Sequence, residues 1–191
     1  MRIYVEEGIV PEEAKTGWLS AEDDHTKRHS GIRSCVDGFL EYELNGKKGI
    51  LLAFRDSTPP VPNGIWVPGG EWKREIMDPE EALKFRIKNE TSLNLSDIER
   101  LGEISILWKE SPYNNEEFRK ERKKRNLGEG VHDLGLVFFV RATGNLKLKT
   151  MREPVIIVTP ENYEEVMGRY NAHDYIRHFV GEALKKVNYS S

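Results

Sequence analysis

The sequence lacks the features that mark secreted or membrane proteins. Its 191 residues include a single cysteine, Cys35, so the chain forms no internal disulfide and no cysteine-rich metal site. That usage fits a reducing compartment. No apolar stretch approaches the ~20 residues of a membrane span, and the N-terminus has no apolar signal core. We therefore expect a cytoplasmic protein with no membrane partner.

The sequence also lacks an excess of charge of one sign. Twenty-nine basic residues face 32 acidic ones, for a net charge of −3, so no global field favours nucleic acid. The run 119–125 is a local exception, with six basic residues around Glu121. Such a basic run is most often a solvated loop. RNA binding is a minor alternative. A further alternative is that the run closes over an anionic substrate.

Hydrophobic patterning predicts an α+β fold, with a mixed sheet packed by helices on its faces. Strands are predicted at 32–44, 49–55, 65–67, 98–108, 131–143 and 154–158, and helices at 78–93, 161–167 and 170–187. Asn45-Gly46 indicates a hairpin turn, and Asp78 followed by Pro79 indicates a helix start. Residues 1–31 are polar and mixed, and we interpret them as an N-terminal extension that packs on a domain spanning 32–191 or on a dimer partner.

The segment 66–93 carries the first functional pattern. A strand ends in Gly69-Gly70, a charged loop follows, and a helix comes next. Glycines let a backbone approach a ligand or metal closely, and the helix offers side chains three and four residues apart on one face. This unit resembles the Nudix box, whose pattern is Gly, five residues, Glu, seven residues, then Arg-Glu-apolar-x-Glu-Glu-x-Gly-apolar. The resemblance implies a Nudix α/β/α sandwich with a mixed sheet.

The aligned box keeps one of its three helix carboxylates. The family's arginine, three helix glutamates and glycine fall on Phe85, Arg86, Asn89, Glu90 and Ser92, and the loop glutamate falls on Met77. The charges at 86, 89 and 90 sum to about zero, which excludes a cluster of metal ions. One Mg²⁺ remains possible, held by Glu90, a glycine carbonyl and oxygens of water or substrate. The alternative is an ordinary surface pair between Glu90 and Arg86, one turn earlier.

A wider similarity links the chain to one Nudix branch that also keeps only the last helix glutamate. The similar stretches are 18–23, 34–37, 64–70, Leu107-Trp108, Val131-His132 and 171–179, within residues 18–180. They resemble GDP-mannose mannosyl hydrolases, which cleave at the sugar carbon with inversion. The resemblance implies a homodimer that takes a nucleotide-type small molecule.

The resemblance also implies roles for particular residues. Asp37 matches a substrate-contacting aspartate, and Arg55 matches an arginine that stabilises the departing nucleoside diphosphate. A fixed guanidinium suits that role because it neutralises charge developing on a phosphate oxygen. Glu90 matches the side-chain ligand of Mg²⁺, and Gly69 matches its backbone ligand. Trp108 is predicted to bind substrate or to line its pocket, since an aromatic ring can stack on a base.

One part of the family's machinery is replaced in this chain. Where the family has a Gln-His pair that serves as metal ligand and general base, the sequence reads Met151-Arg152-Glu153. Arg152 cannot accept a proton at pH 7. Glu153 is therefore the predicted catalytic base or ligand. His132, which begins a core strand, is predicted to be a hydrogen-bonded structural residue.

Two main functional hypotheses follow. The first is a Mg²⁺-dependent hydrolase of a nucleotide sugar or another nucleoside diphosphate derivative. The second is a catalytically inactive Nudix-fold domain that binds a nucleotide or a protein partner. The second is motivated by the loss of five box positions together with the missing histidine.

Overall fold

One mixed sheet of eight strands organises the part of the chain that the structure describes. The structure is a computed structural model that describes residues 2–5, 32–55, 61, 64–72, 78–109, 116–124, 126 and 130–187. Its strands are β1 (Arg2–Val5), β2 (Ile32–Leu44), β3 (Lys47–Phe54), β4 (Ile65–Trp66), β5 (Gly69–Glu71), β6 (Asn94–Trp108), β7 (Val131–Thr143) and β8 (Arg152–Val158). Its helices are α1 (Pro79–Thr91), α2 (Glu116–Lys124), α3 (Tyr163–Arg169) and α4 (Asp174–Leu184).

The two long central strands, β2 and β7, run parallel to each other. Their register extends from Ile32 opposite His132 to Glu41 opposite Arg141. The strand order is β1-β6-β7-β2-β3-β4, with β5 paired to β2 and β8 paired to β3. Parallel pairs therefore lie beside antiparallel ones, as the predicted mixed sheet requires.

Helices cover both faces of the sheet. Because side chains alternate along a strand, Val36 and Leu40 of β2 belong to one core, and Phe39 belongs to the other. On the first face, α1 buries Leu83 and Ile87. On the second face, the buried side of α4 joins the core through Tyr175, Ile176, Phe179, Val180 and Ala183. The predicted α/β/α sandwich with a mixed sheet is confirmed.

The helix that follows the glycine pair begins where its cap predicts. The Asp78 carboxylate accepts from the backbone N–H groups of Glu80 and Glu81 at 2.9 and 3.0 Å. Such a cap satisfies backbone donors that have no partner within the helix. The helix ends at Thr91, and the capping residue that follows, Ser92, adopts a left-handed conformation with φ of 62°. These two ends determine where Glu90, in the last turn, meets the rest of the molecule.

One predicted helix is wrong in its extent. The helix expected at 170–187 is interrupted at its start, since Asn171 has a φ of 42° and α4 begins at Asp174. The His173 side chain accepts from the Tyr175 N–H at 3.1 Å and so caps α4. The predicted continuous helix is therefore replaced by a shorter helix, α4, which has its own capped start.

Two further predictions concern segments that lie partly outside the described residues. Residues 6–31, most of the predicted N-terminal extension, lie outside them, whereas residues 2–5 form β1 and pair parallel with β6. The basic run 119–125 falls mainly in α2, where Arg122 is only 1% exposed. That side chain faces inward, so the run is not a uniform solvent-facing cationic surface. No described helix is long and apolar enough to cross a membrane.

Candidate functional site

The glycine pair lies against the first half of β2. In β5, Gly69 pairs with Asp37, Gly70 with Val36, and Glu71 with Cys35. The backbone contact continues on both sides, because the Gly38 N–H donates to the Pro68 carbonyl and the Trp72 N–H to the Ser34 carbonyl. This short antiparallel contact fixes the start of the box segment beside Asp37.

Only glycine fits at position 69. A Cβ there would lie 2.8 Å from the Cα of Asp37 and closer still to Asp37 Oδ1 and to the Val36 carbonyl oxygen. Its φ of 155° also lies in the range that side chains disfavour. The backbone of Gly69 therefore approaches Asp37 more closely than any other residue would allow.

Glu90 reaches the same point from α1. Its Oε2 accepts from the Gly69 N–H at 3.0 Å. Burial raises the pKa of Glu90 to about 7, although the Gly69 hydrogen bond acts in the opposite direction. The alternative of a pair with Arg86 is not what the structure contains, because the Arg86 Nε donates to the Glu71 carbonyl at 2.8 Å.

Asp37 is a buried carboxylate beside the half-buried Glu90. It is 6% exposed, and its Oδ2 accepts from the Tyr175 hydroxyl at 2.7 Å. Burial raises the pKa of Asp37 to about 6, against the opposing effect of that hydrogen bond. Neither Asp37 nor Glu90 forms an ion pair within the part of the chain that is described. Two desolvated carboxylates held close together favour a cation between or beside them.

These carboxylates line a cavity of about 280 Å³. Its polar lining includes Arg55, whose guanidinium carbon lies 5.6 Å from the ring centroid of Trp66. Its apolar wall includes Trp66 and Trp108, with ring centroids 6.1 Å apart. The cavity thus combines acidic groups, a guanidinium and an aromatic wall, a combination typical of small-molecule sites.

A second polar group lies at the start of β2 and β7. The Arg33 guanidinium donates from Nε and Nη2 to the two oxygens of Asp133, at 2.7 and 2.6 Å. The Trp108 Nε1–H donates to Asp133 Oδ2 at 2.7 Å. Cys35 lies between these groups and Asp37 along the cavity wall, and burial raises the pKa of its thiol well above the usual value. A protonated, buried thiol of this kind is a poor nucleophile.

The structure brings together most of the residues that the sequence singled out. The cavity is lined by Asp37, Arg55, Gly69, Glu90 and Trp108. Glu153 differs from them, because its side chain is exposed on β8 and is not among the lining residues. Its neighbour Met151 does line the cavity.

Sequence reasoning missed Arg33 and Asp133 as site residues. Strand alternation offers a signal for Arg33, because it lies four residues before Asp37 and so on the same face of β2. No such local signal identifies Asp133. Its place beside Arg33 depends on the pairing of β7 with β2, which joins residues 100 apart in the sequence. Within the described residues, no group of three or more His, Cys, Asp or Glu side chains is arranged to hold a metal ion.

His132 lies away from this cavity and has a structural partner. Its Nε2 lies 2.6 Å from the Ser105 hydroxyl oxygen. Burial lowers the pKa of His132 from its ordinary value of 6.5. Just below pH 6.5, the imidazole of His132 therefore binds a proton less readily in the folded protein than in the unfolded chain.

Acidification is expected to destabilise the fold through His132. This cost is absent well above pH 6.5 and grows as the pH falls from 6.5 towards the lowered pKa, because only the unfolded chain gains the proton there. The midpoint of urea unfolding should decrease less in His132→Gln than in the native chain between about pH 7.5 and about pH 5.5. An equal decrease in both proteins would contradict the assignment.

The likeness to known proteins lies in the structure and not in the sequence. No family model matches the sequence, and no curated protein matches it. Among solved structures, the chain is similar to the NUDIX domain of Shewanella oneidensis NrtR, determined in complex with ADP ribose. That likeness has 14% identity and a TM-score of 0.55, and covers 82% of this chain and 89% of that one.

Two other structures show a likeness of the same kind. The MutT protein from Methanosarcina mazei Go1 is 16% identical, with a TM-score of 0.54 over 81% of this chain and 94% of that one. The E. coli ORF135 protein is 15% identical, with a TM-score of 0.51 over 84% and 95%. At these identities the similarity shows the fold alone, and that fold is the Nudix fold.

Proposed function

We propose that the chain is a Mg²⁺-dependent hydrolase of a nucleotide sugar or another nucleoside diphosphate derivative, and that it resembles GDP-mannose mannosyl hydrolases in keeping one helix carboxylate. The observation that carries the proposal is the convergence of Glu90, Asp37 and the Gly69 backbone beside Arg55 in one cavity. The Nudix fold is consistent with this activity but does not establish it.

The donor set fits one divalent cation better than a cluster of them. Two carboxylates and a backbone carbonyl are the hard oxygen ligands that Mg²⁺ prefers, and Mg²⁺ commonly keeps waters and substrate phosphates as its other ligands. Glu90 and Gly69 are proposed to hold the ion, with Asp37 close to both. When bound, such an ion neutralises phosphate charge and orients the diphosphate.

Arg55 supplies the positive charge that the leaving diphosphate requires. Its guanidinium lies at the Trp66 ring, which restricts its orientation, so its charge is held in place before the reaction. Neutralising the departing phosphate oxygens in this way lowers the barrier to cleavage of the bond to the sugar.

The attacking water needs a base. Glu153 is the proposed base, and the alternative is Asp37, which lines the cavity. Glu153 is exposed on β8, two residues after the cavity-lining Met151. Glu153→Gln and Asp37→Asn distinguish the two assignments, because the variant that removes the base lowers kcat more than KM rises.

The proposed activity is tested with purified protein, Mg²⁺ and a panel of nucleotide sugars and dinucleotides. Turnover is expected for at least one nucleoside diphosphate derivative, and chelation of Mg²⁺ is expected to abolish it. Arg55→Ala should lower kcat by about 100-fold or more, the usual cost of removing one charge-stabilising group. Arg55→Lys should recover only part of that loss, since an ammonium lacks the planar fork. No turnover on any member of the panel at saturating Mg²⁺ would refute the proposal.

The second candidate is a non-catalytic nucleotide-binding or protein-binding domain. The observation that favours it is the lack, among described residues, of three acidic, histidine or cysteine ligands around one point. It predicts tight nucleotide binding that ignores both Mg²⁺ and Glu90→Gln. The homodimer implied by the resemblance is a separate proposal, which sedimentation of the purified chain tests.

A further inference from the structure

The hydroxyl of Tyr175 contacts the site from behind the cavity wall. It donates to Asp37 Oδ2 at 2.7 Å, whereas Tyr175 itself is fully buried and is not among the residues that line the cavity. Gly69 lies at the other carboxylate oxygen, because a Cβ at that glycine would be 2.4 Å from Asp37 Oδ1. The carboxylate is therefore held from two sides, by a backbone near Oδ1 and by a hydroxyl at Oδ2.

Neighbouring rings fix the place of the Tyr175 hydroxyl. The ring packs against those of Phe39, Trp66 and Phe179, with centroids 5.9, 5.3 and 5.4 Å away. A buried aromatic side chain has few rotamers, and contacts with three rings leave it one orientation. The hydroxyl consequently has a fixed position relative to the strand that carries Asp37.

The capped start of α4 supports the same arrangement. The His173 Nδ1 accepts from the Tyr175 N–H at 3.1 Å. The His173 ring also lies against the aromatic wall of the cavity, with its centroid 5.1 Å from that of Trp108. One helix start therefore supports both the aromatic wall and the Asp37 carboxylate, and such packing of supporting residues holds a site in a single geometry.

We infer that Tyr175 is a positioning residue, which holds the Asp37 carboxylate in the orientation that the reaction requires. The inference rests on the proposed function, in which Asp37 lies beside the cation and is the alternative base. Without the hydroxyl, the buried Oδ2 loses the donor that orients it, and the carboxylate turns. Small displacements of a reacting group lower the rate strongly.

Steady-state kinetics of Tyr175→Phe test the inference, since this variant keeps the ring and removes only the hydroxyl. The assay uses saturating Mg²⁺ and the substrate that the panel of nucleoside diphosphate derivatives identifies. We expect kcat to fall by about 30-fold and KM to change by less than about 3-fold. A rise in KM with kcat unchanged would overturn the inference.

A double-mutant cycle shows whether the hydroxyl acts through Asp37. Tyr175→Phe combined with Asp37→Asn should be no more than about 2-fold slower than Asp37→Asn alone, because the carboxylate that the hydroxyl orients is already gone. This comparison also serves if Tyr175→Phe alone is too unstable, since a buried amide needs a donor less than a buried carboxylate does. Additive losses would overturn the inference.

Tyr163→Phe is the matched control. The Tyr163 side chain packs against the same core as Tyr175, and its hydroxyl donates to the Arg177 carbonyl at 2.8 Å. The change removes a hydrogen-bonded hydroxyl without altering a contact of Asp37. It should lower Tm as Tyr175→Phe does, but leave kcat within about 2-fold of the native value. Equal losses of kcat in the two variants would contradict a positioning role.

Crystal structures of the two variants separate the inference from the proposed function, because they need no turnover. The Asp37 carboxylate should turn by more than about 30° in Tyr175→Phe and keep its orientation in Tyr163→Phe. An unmoved carboxylate in Tyr175→Phe would overturn the inference, whatever the native chain hydrolyses. A turned carboxylate in a chain that hydrolyses no member of the panel would refute the proposed function and leave the positioning of Asp37 by Tyr175 standing.

Discussion

Replacing Glu90 by glutamine is expected to abolish hydrolysis and, at the same time, to stabilise the metal-free protein. Activity should fall by about 1,000-fold or more, because the change removes the charge that holds the cation. Stability should rise because burial of the ionised carboxylate is unfavourable, as the pKa of about 7 against an ordinary 4.5 indicates. The gain is greatest above pH 7, where the native side chain is ionised in both folded and unfolded states, and it vanishes below pH 4.5.

The stabilisation has a measurable size. A shift of this magnitude corresponds to about 3 kcal/mol, reduced to about 2 kcal/mol once burial of the glutamine amide is included. For a chain of this length, that raises Tm by roughly 4–8 °C in thermal unfolding at about pH 8 with chelator. Adding Mg²⁺ and a nucleotide should then raise Tm in the native protein but not in Glu90→Gln.

The matched control lies on the same helix. Glu81 is exposed in the first turn of α1, so Glu81→Gln removes the same charge without changing a buried carboxylate. It should leave turnover at the native level and change Tm by no more than about 1 °C. If Glu90→Gln behaved as Glu81→Gln does, Glu90 would be an ordinary surface residue and the proposed metal ligand would be lost.

The sequence predicted that Glu90 lies on a helix of the site, but it did not predict which residues Glu90 contacts. The helix of Glu90 was predictable because Asp78 and Pro79 form a local start signal, and the structure has the cap that they imply. Whether Glu90 would contact Arg86 or Gly69 depended on β5 pairing with β2, a tertiary contact that no local pattern encodes. For the same reason, no local pattern predicts the hydrogen bonds between Arg33 and Asp133.

The long strands were predictable for a physical reason. Ile32–Leu44 and Val131–Thr143 have the bounds that their patterning predicts, because each is rich in apolar residues and is bounded by turn signals. The break before α4 was missed because it depends on the His173 side chain capping a new helix. Periodicity alone does not distinguish a capped restart from a continuous helix.

Gly69→Ala is expected to collapse the site. The added methyl group overlaps with Asp37 and with the Val36 carbonyl, so β5 must separate from β2 or Asp37 must leave its place against Tyr175. Either shift moves a carboxylate by about an ångström, which typically costs 100-fold or more in rate. The free energy of unfolding should fall by about 3 kcal/mol, measured by urea denaturation.

Gly70→Ala is the strain-matched control for that change. Gly70 has a φ of 132°, which an alanine also disfavours, but a Cβ there meets no atom within 4 Å. It should cost about 1–2 kcal/mol of stability through backbone strain alone. The difference between the two variants therefore isolates the overlap at Gly69. Equal losses of stability and activity in both would show that close packing on Asp37 is unimportant.

The central claim is that Glu90 and the Gly69 carbonyl hold a divalent cation in this cavity. Its most direct test is an anomalous difference map from crystals grown with Mn²⁺ and a nucleoside diphosphate. We expect a single peak within about 2.5 Å of a Glu90 carboxylate oxygen and of the Gly69 carbonyl oxygen, with the diphosphate beside it. A map that shows the nucleotide in the cavity, no peak at Glu90, and the Gly69 N–H still donating to the Glu90 carboxylate would contradict it.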